Sequence, residues 1–327
     1  MAKLIGKQLL KFIALMFAVS VVVFFLVGLS PIDPVQANVG QAAYAALSPE
    51  KKAELATYWG TNLPIWERYL NWLLAALQGD WGISLRFNQP VTAVLAQRAG
   101  NTLLLMLVAW LLSGVIGLFM GIVAGMKKGS GFDAFVKGYC FVLASTPTFW
   151  FGLIMLMIFA VWLGWFPLGF SVPIGKSAAD VTLADTLYHL ILPAATLSIV
   201  GVANIALHTR EKTIDVMESD YIRFAQARGM SRWQALRTHG LRNLLLPAIT
   251  LQCASISEIF GGSVLVEQVF SYPGLGQAAV TAGIGGDAAL LVGIAMVSAV
   301  IVFGGNLLAN ILYRAVDPRI RQGGDAL

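Results

Sequence analysis

Long apolar runs alternate with short charged ones along this chain, and the apolar runs are of membrane length. Six reach the ~18 residues needed to cross a hydrocarbon core: Phe12–Leu29, Thr102–Met126, Gly138–Leu163, Leu190–Leu207, Asn243–Val266 and Ala288–Tyr313. The fifth contains Glu258, so an alternative division stops it before that residue and makes Ile259–Val266 a re-entrant piece. Ser30–Gly100, between the first two runs, is too long for a simple connection. Within it Ser48-Pro49-Glu50 opens a polar helix, with proline just inside and acid in the first turn. Pro64–Leu77 follows with Trp66, Tyr69, Leu70, Leu73 and Leu74 at helical spacing. Its aromatics suit a membrane interface or a helix packed on the bundle. Gly79-Asp80-Trp81-Gly82 then reads as a turn. A small helical outer module is expected, either touching a soluble protein or serving as scaffold.

Composition supports an all-α integral membrane protein: 57% of the 327 residues are apolar and 12% charged, against roughly 25% charged in soluble domains. Charge then sets orientation. Lys3, Lys7, Lys11, Lys127, Lys128, Lys137, the stretch Arg210–Arg242 and Arg314, Arg319 and Arg321 fall on one side and hold most of the 22 basic residues. The positive-inside rule puts that side, with both termini, in the cytoplasm. The net charge of +5 needs no nucleic acid, because cationic flanks attract anionic headgroups. The first run is longer than a secretory signal core and lacks a small-x-small site before Ser30-Pro31, so it reads as an uncleaved span. Cys140 and Cys253 lie inside spans and form no metal or disulfide pattern.

Within the spans, Gly117-x-x-x-Gly121-x-x-x-Gly125 puts three hydrogens on one face and permits close helix approach. Pro147 marks a bend in the third span, Trp162, Trp165 and Phe166 an interface, and Pro193 the first turns of the fourth span. The basic stretch has its own order. Asp220–Arg228 forms a short helix offering Tyr221, Phe224 and Ala225 as a face, and Gly229 interrupts it. Ser231 has N-cap spacing to Gln234, a capping box, and Trp233, Leu236 and Leu244 share an apolar side while Arg232 and Arg237 stay exposed. This hairpin either lies on headgroups or docks in a groove of a partner; its capping favours docking.

Chemistry-bearing residues are few. Glu258, near Gln252, Ser255 and Ser257, is an ionisable group at membrane depth. It either lines a solute route favouring cations or pins two helices together. Glu267 and Asp287 bound an outer segment without Lys or Arg, where cation attraction and a salt bridge to a partner are both open. His189, His208 and His239 are scattered and form no metal cage. No phosphate-gripping Gly-x-x-x-x-Gly-Lys-Ser/Thr loop is present, so neither catalysis nor a bound cofactor is expected in this chain.

Over nearly its whole length the chain resembles the inner-membrane permease subunits of ATP-binding-cassette importers, in the dipeptide, oligopeptide and nickel branch. The resemblance rests on Arg68-Tyr69-Leu70-x-Trp72, Gly79-Asp80-x-Gly82-x-Ser84, Pro147-x-Phe149-Trp150 and His189-Leu190-Ile191-Leu192-Pro193. Its most specific parts are Asp220-Tyr221-Ile222-Arg223-x-Ala225-x-Ala227-x-Gly229, Arg242-Asn243-x-x-x-Pro247, Gly261-Gly262-Ser263-x-x-x-Glu267-x-x-Phe270-x-x-Pro273-Gly274-x-Gly276 and Asp317-Pro318-Arg319. The family's cytoplasmic motif begins Glu-Ala-Ala; here Arg223 replaces the acid, while Ala225 and Gly229 keep their spacing. The resemblance implies the six-span type I importer fold with an outer helical segment between spans one and two. Its expected organisation is a span plus outer segment over 1–100, a core over 101–316 with a coupling loop at 210–242, and a cytoplasmic tail over 317–327. It also implies a second homologous permease, two ATPase subunits that bind ATP and Mg, and an extracytoplasmic solute-binding protein, in a bacterial or archaeal inner membrane.

On that resemblance Tyr221, Phe224, Ala225, Arg228, Gly229 and Ser231 would couple to the ATPases, and Pro247, Gly261 and Gly262 would absorb the motion. Short peptides are the expected cargo, with a nickel or metallophore complex retained. An ion-coupled carrier is the class-level alternative, but it would more often show several buried ionisable groups. A channel filter and an intramembrane catalytic constellation are both absent from the motifs.

Overall fold

A computed structural model of the chain describes residues 2–31, 33–58 and 63–316. The tail 317–327, with its Asp317-Pro318-Arg319 motif, lies outside them. The described residues are helical almost throughout. Helices α1 (Ala2–Gly28), α2 (Pro34–Val39), α3 (Gln41–Ala46), α4 (Pro49–Tyr58) and α5 (Ile65–Leu77) precede a short hairpin, β1 (Ile83–Ser84) and β2 (Gln89–Pro90). Then come α6 (Val91–Met126), α7 (Gly131–Ala144), α8 (Thr148–Met155), α9 (Leu183–Met217), α10 (Asp220–Ala227) and α11 (Arg232–Ala235). The chain ends through α12 (Leu241–Ala254), α13 (Ile256–Val269), α14 (Leu275–Ile284) and α15 (Ala288–Val316).

Among the described residues four helices are long and apolar enough to cross a membrane: α1, α6, α9 and α15. The six-span count holds if each of two bent pairs is one span. The first pair bends by 109° between α7 and α8, which a π-helical turn extends to Trp162. Pro147 caps α8 and lacks an N–H, and the residue before a proline is pushed out of helical geometry. The second pair bends by 47° at Ser255.

Several helices outrun the expected spans. A Thr182–Asp185 capping box starts α9 at Leu183, so Pro193 lies well inside the helix and not in its first turns. At 35 residues α9 is about 52 Å long. Its end carries Arg210–Met217, so the expected loop begins as helix. Likewise α6 starts at Val91, inside the expected outer segment.

The chain divides into two compact units: up to Thr102 with Pro273–Phe303, and Leu103–Tyr272 with the chain from Gly304. The first unit therefore includes residues far downstream of the N-terminal span and outer segment. Its core joins Val91, Val94 and Leu95 of α6 to Leu275, Ala278 and Ala282 of α14 and Leu290 and Ile294 of α15. Asp287, fully buried, accepts bonds from the Ser84 hydroxyl (2.6 Å), the Arg86 N–H (3.2 Å) and, as helix cap, the Leu290 N–H (3.1 Å). The expectation of an outer cation or partner-facing charge at Asp287 is thereby corrected: its oxygens are committed to the hairpin and to α15.

In the second unit α6 packs on α9 through its glycine face. A Cβ at Gly117 would lie 2.9 Å from the Ile205 Cβ, one at Gly121 2.6 Å from the Thr209 Cβ, and one at Gly125 2.5 Å from the Thr213 Cβ. α7 is tied to α9 by Asp133, buried and paired with Arg210 through both carboxylate oxygens, one of them 2.9 Å from Nη2. The Gly129 N–H adds a third bond at 2.9 Å. Further along, the Phe170 N–H donates to the Phe270 carbonyl (3.0 Å), and Nδ1 of buried His189 lies 2.9 Å from the Gly169 carbonyl, placing its proton there.

Candidate functional site: the basic helical hairpin and the bent span

The basic stretch folds as α10, a glycine turn, and α11 running through a π-helical turn (Leu236–Gly240) into α12. Local sequence explains each step. Past Arg228, the Gly229 N–H donates to the Gln226 carbonyl (2.9 Å) and the Met230 N–H to the Ala225 carbonyl (3.2 Å). These are the paired bonds of a Schellman cap, which needs a left-handed residue; Gly229 supplies it at φ +88°. Ser231 then caps α11, accepting from the Gln234 N–H (3.3 Å) while the Gln234 side chain accepts from the Ser231 N–H (3.0 Å).

The hairpin is seated on the bundle. Ile222, Ala225, Ala235, Leu236 and Leu244 form one buried cluster with Ile122 of α6 and Val216 and Met217 of α9. Gly240 lets the π turn approach, since a Cβ there would lie 2.7 Å from a Val216 methyl. The Asn243 amide donates to the Tyr221 hydroxyl (3.0 Å), linking α10 to α12. Beside the hairpin Lys128 pairs with Glu218 at 2.7 Å, and this ammonium holds the carboxyl below its ordinary range.

Two expectations change here. Ala225 is buried inward and is no part of an outward face; Trp233 is 54% exposed and does not share the apolar side of Leu236 and Leu244. The outward surface consists of Phe224 (66% exposed), Trp233, Tyr221 and the exposed Arg223, Arg228, Arg232 and Arg237. Aromatics ringed by arginines on a preorganised scaffold are the composition of a protein-docking surface.

Gly229 gives a direct test. No atom lies within 4 Å of the Cβ position, so a substitution there costs only backbone strain. Gly229→Val is expected to destabilise the protein by about 1–3 kcal/mol, and Gly229→Asn least, because asparagine tolerates the left-handed region. Thermal unfolding of the purified protein reads the order; equal losses for both would remove the strain argument.

At the bend between α12 and α13 the backbone carbonyl of Gln252 accepts the Trp110 indole N–H (2.7 Å) and the Ser255 hydroxyl (2.8 Å). Side-chain donors taking a carbonyl from the helical ladder turn the axis. The Gln252 side chain donates back to the Trp110 carbonyl, lying against Gly114. Gln252 is thus buried in this clip and does not join Glu258 in a polar strip. Ser257 pairs with Asn306 (3.0 Å), while Glu258 sits exposed in the first turn of α13.

Of the residues expected to absorb motion, Gly261 and Gly262 lie within α13 and Pro247 inside α12, while the static bend is at Ser255. Glu267 is fully buried instead of facing an outer surface. Trp110 and Asp133 were not anticipated. A tryptophan in mid-span, away from either interface, and an aspartate three residues after Ser130 at the start of an apolar run were the available signals.

Residues 117–322 match the family model described as binding-protein-dependent transport system inner membrane component. The chain is 36% identical over 321 residues to the oligopeptide transport system permease protein AppB of Bacillus subtilis, covering 98% of this chain and 99% of that one. It is 33% identical over 336 residues to the di/tripeptide transport system permease protein DppB of Pseudomonas aeruginosa, again covering 98% and 99%. A putative peptide transport system permease protein of Brucella abortus is 34% identical over 321 residues. With its apolar spans and matching length, the chain belongs to the inner-membrane permease components of binding-protein-dependent transport systems.

Proposed function

We propose that this multi-pass inner-membrane chain is one of two permease subunits of an importer of short peptides. A second homologous permease stands beside it, two ATPase subunits bind ATP and Mg below it, and a solute-binding protein delivers cargo above. The peptide class is supported by the named transport roles of relatives matched over nearly their full length. The positive-inside distribution supports cytoplasmic termini. The chain itself is a transport subunit; ATP hydrolysis is assigned to its partners.

The observation that carries the coupling role is the hairpin's double character: Phe224 and Trp233 face outward while Ile222, Ala225 and Leu236 are sealed against α6 and α9. A push on the outward face is therefore delivered to the spans, through the cluster, the Tyr221–Asn243 bond and the helical run from Arg232. ATP binding must favour one packing of the bundle over the other to shift the population. The bend at Ser255, held by Trp110 and Gln252, is where that repacking is assigned. Glu258, exposed just beyond the bend, is assigned to the solute path.

The test is uptake and cargo-stimulated ATPase activity by the reconstituted complex, with peptide and nickel-chelate pools. Phe224→Asp leaves the buried cluster intact and is expected to lower coupled ATPase activity and uptake at least tenfold, with assembly of the two permeases preserved. Glu258→Gln is expected to weaken uptake of cationic peptides more than neutral ones. Transport by this chain alone on an ion gradient would overturn the proposal, and uptake confined to the nickel chelate would overturn its cargo.

A further inference from the structure

Helix α5 has two apolar faces. One packs inward: Tyr69 and Trp72 are buried with Phe24 of α1 and Val292 of α15. The other consists of Trp66, Leu70, Leu74 and Leu77, spaced to fall on a single stripe, and these are 55%, 47%, 58% and 77% exposed. Such a stripe on a helix bathed in water would be a liability.

The depth of α5 along α1 identifies what covers it. Ile65 lies against Gly28, where a Cβ would meet its side chain at 2.1 Å, and Tyr69 meets Phe24 and Phe25. The Tyr69 hydroxyl shares a hydrogen bond of 3.0 Å with Ser20. Ser20 lies inside the apolar span Gln8–Gly28, eight residues or about 12 Å from its end. Increasing α5 numbers meet decreasing α1 numbers, so the helix turns back along the span instead of standing clear of it. The adjoining residues Val22 and Leu26 of α1, and Leu29 just past its end, are themselves exposed and apolar.

We infer that α5 is partly immersed in the leaflet at the Gly28 end of α1, with lipid acyl chains covering the Trp66–Leu70–Leu74–Leu77 stripe. The lipid-facing surface of α1 continues onto α5. Asn71 and Gln78, exposed and polar on the flank of the stripe, stand toward the headgroups. The outer segment is then anchored by the bilayer as well as by the bundle.

The experiment places a nitroxide label at Leu70→Cys, Leu74→Cys and Asn71→Cys, one at a time. The complete importer is reconstituted in vesicles of phosphatidylethanolamine and phosphatidylglycerol. Cys140 and Cys253 are buried, so the unsubstituted chain carried through the same labelling sets the background. Labels at 70 and 74 are expected to collide with dissolved oxygen several-fold more than with an aqueous nickel chelate, and the label at 71 to show a smaller ratio. Nickel-chelate access at 70 and 74 would mean water covers the stripe. Low access to both reagents would mean a protein partner does. Either result overturns the inference while leaving the transport role untouched.

Discussion

Asp133→Asn is expected to destabilise the permease by about 3–5 kcal/mol, the cost of removing one member of a buried ion pair. The carboxylate is almost wholly buried, and it neutralises the largely buried Arg210 guanidinium through two hydrogen bonds. Asparagine keeps the shape, and its amide oxygen still accepts from Gly129, but it leaves a cation with no counter-charge where α7 meets α9. Lys137, 4.0 Å from the same carboxylate, would add to the uncompensated charge. Thermal unfolding of the purified complex measures the loss. The pair is also expected to be dispensable as a pair: Asp133→Asn with Arg210→Met should recover most of the deficit, because burying neutral groups avoids the desolvation of both ions. A double variant as unstable as the single would mean that the charge itself is required.

Gly121→Val is expected to separate α6 from α9 or to prevent assembly altogether. The first added atom would lie 2.6 Å from the Thr209 Cβ and 2.7 Å from the Ala206 carbonyl oxygen. Thr209 cannot rotate its Cβ away and the carbonyl belongs to a helix backbone, so the helices must move. Overpacking of this kind costs about 1–3 kcal/mol where a core can adjust; here neighbouring Gly117 and Gly125 are also packed closely, at 2.9 Å and 2.5 Å, and restrict the adjustment. Gly138→Ala is the control, because no atom outside its own helix lies within 4 Å of that position. Its expected effect is neutral or stabilising by up to about 1 kcal/mol through helix propensity. Retention of folded complex, followed by size-exclusion chromatography in detergent, reads both; a normal yield for Gly121→Val would refute the close-packed face.

What the amino-acid order reveals is governed by range. The Ser231–Gln234 capping box and the turn at Gly229 were legible because every partner lies within a few residues. The Gly117–Gly121–Gly125 face was legible as a surface, though its partner, α9, was not. Trp233 was misassigned because helical spacing says which residues share a side, not whether that side faces the cluster. The bend at Ser255 was hidden by a contact with Trp110, distant in sequence, while the glycine pair at 261–262 lies inside a continuous helix. Asp287 looked like an outer charge because hydropathy cannot register a hydroxyl and a hairpin supplied from elsewhere in the chain, and Glu267 is buried as well. Glu258 stands exposed in the first turn of α13.

The Asp287 carboxylate has a consequence for the order in which this protein is made. Ser84 and Asp287 are separated by 203 residues. At roughly 5–20 residues per second, the ribosome needs about 10–40 s to deliver the acceptor after the hydroxyl has emerged. During that interval the hairpin has neither its carboxylate nor the residues of α14 and α15 that complete the core beside it. Nascent chains arrested before Asp287 should therefore leave the 83–90 segment open to protease, and chains released after α15 should protect it. The first unit can finish folding only after α15 has been made.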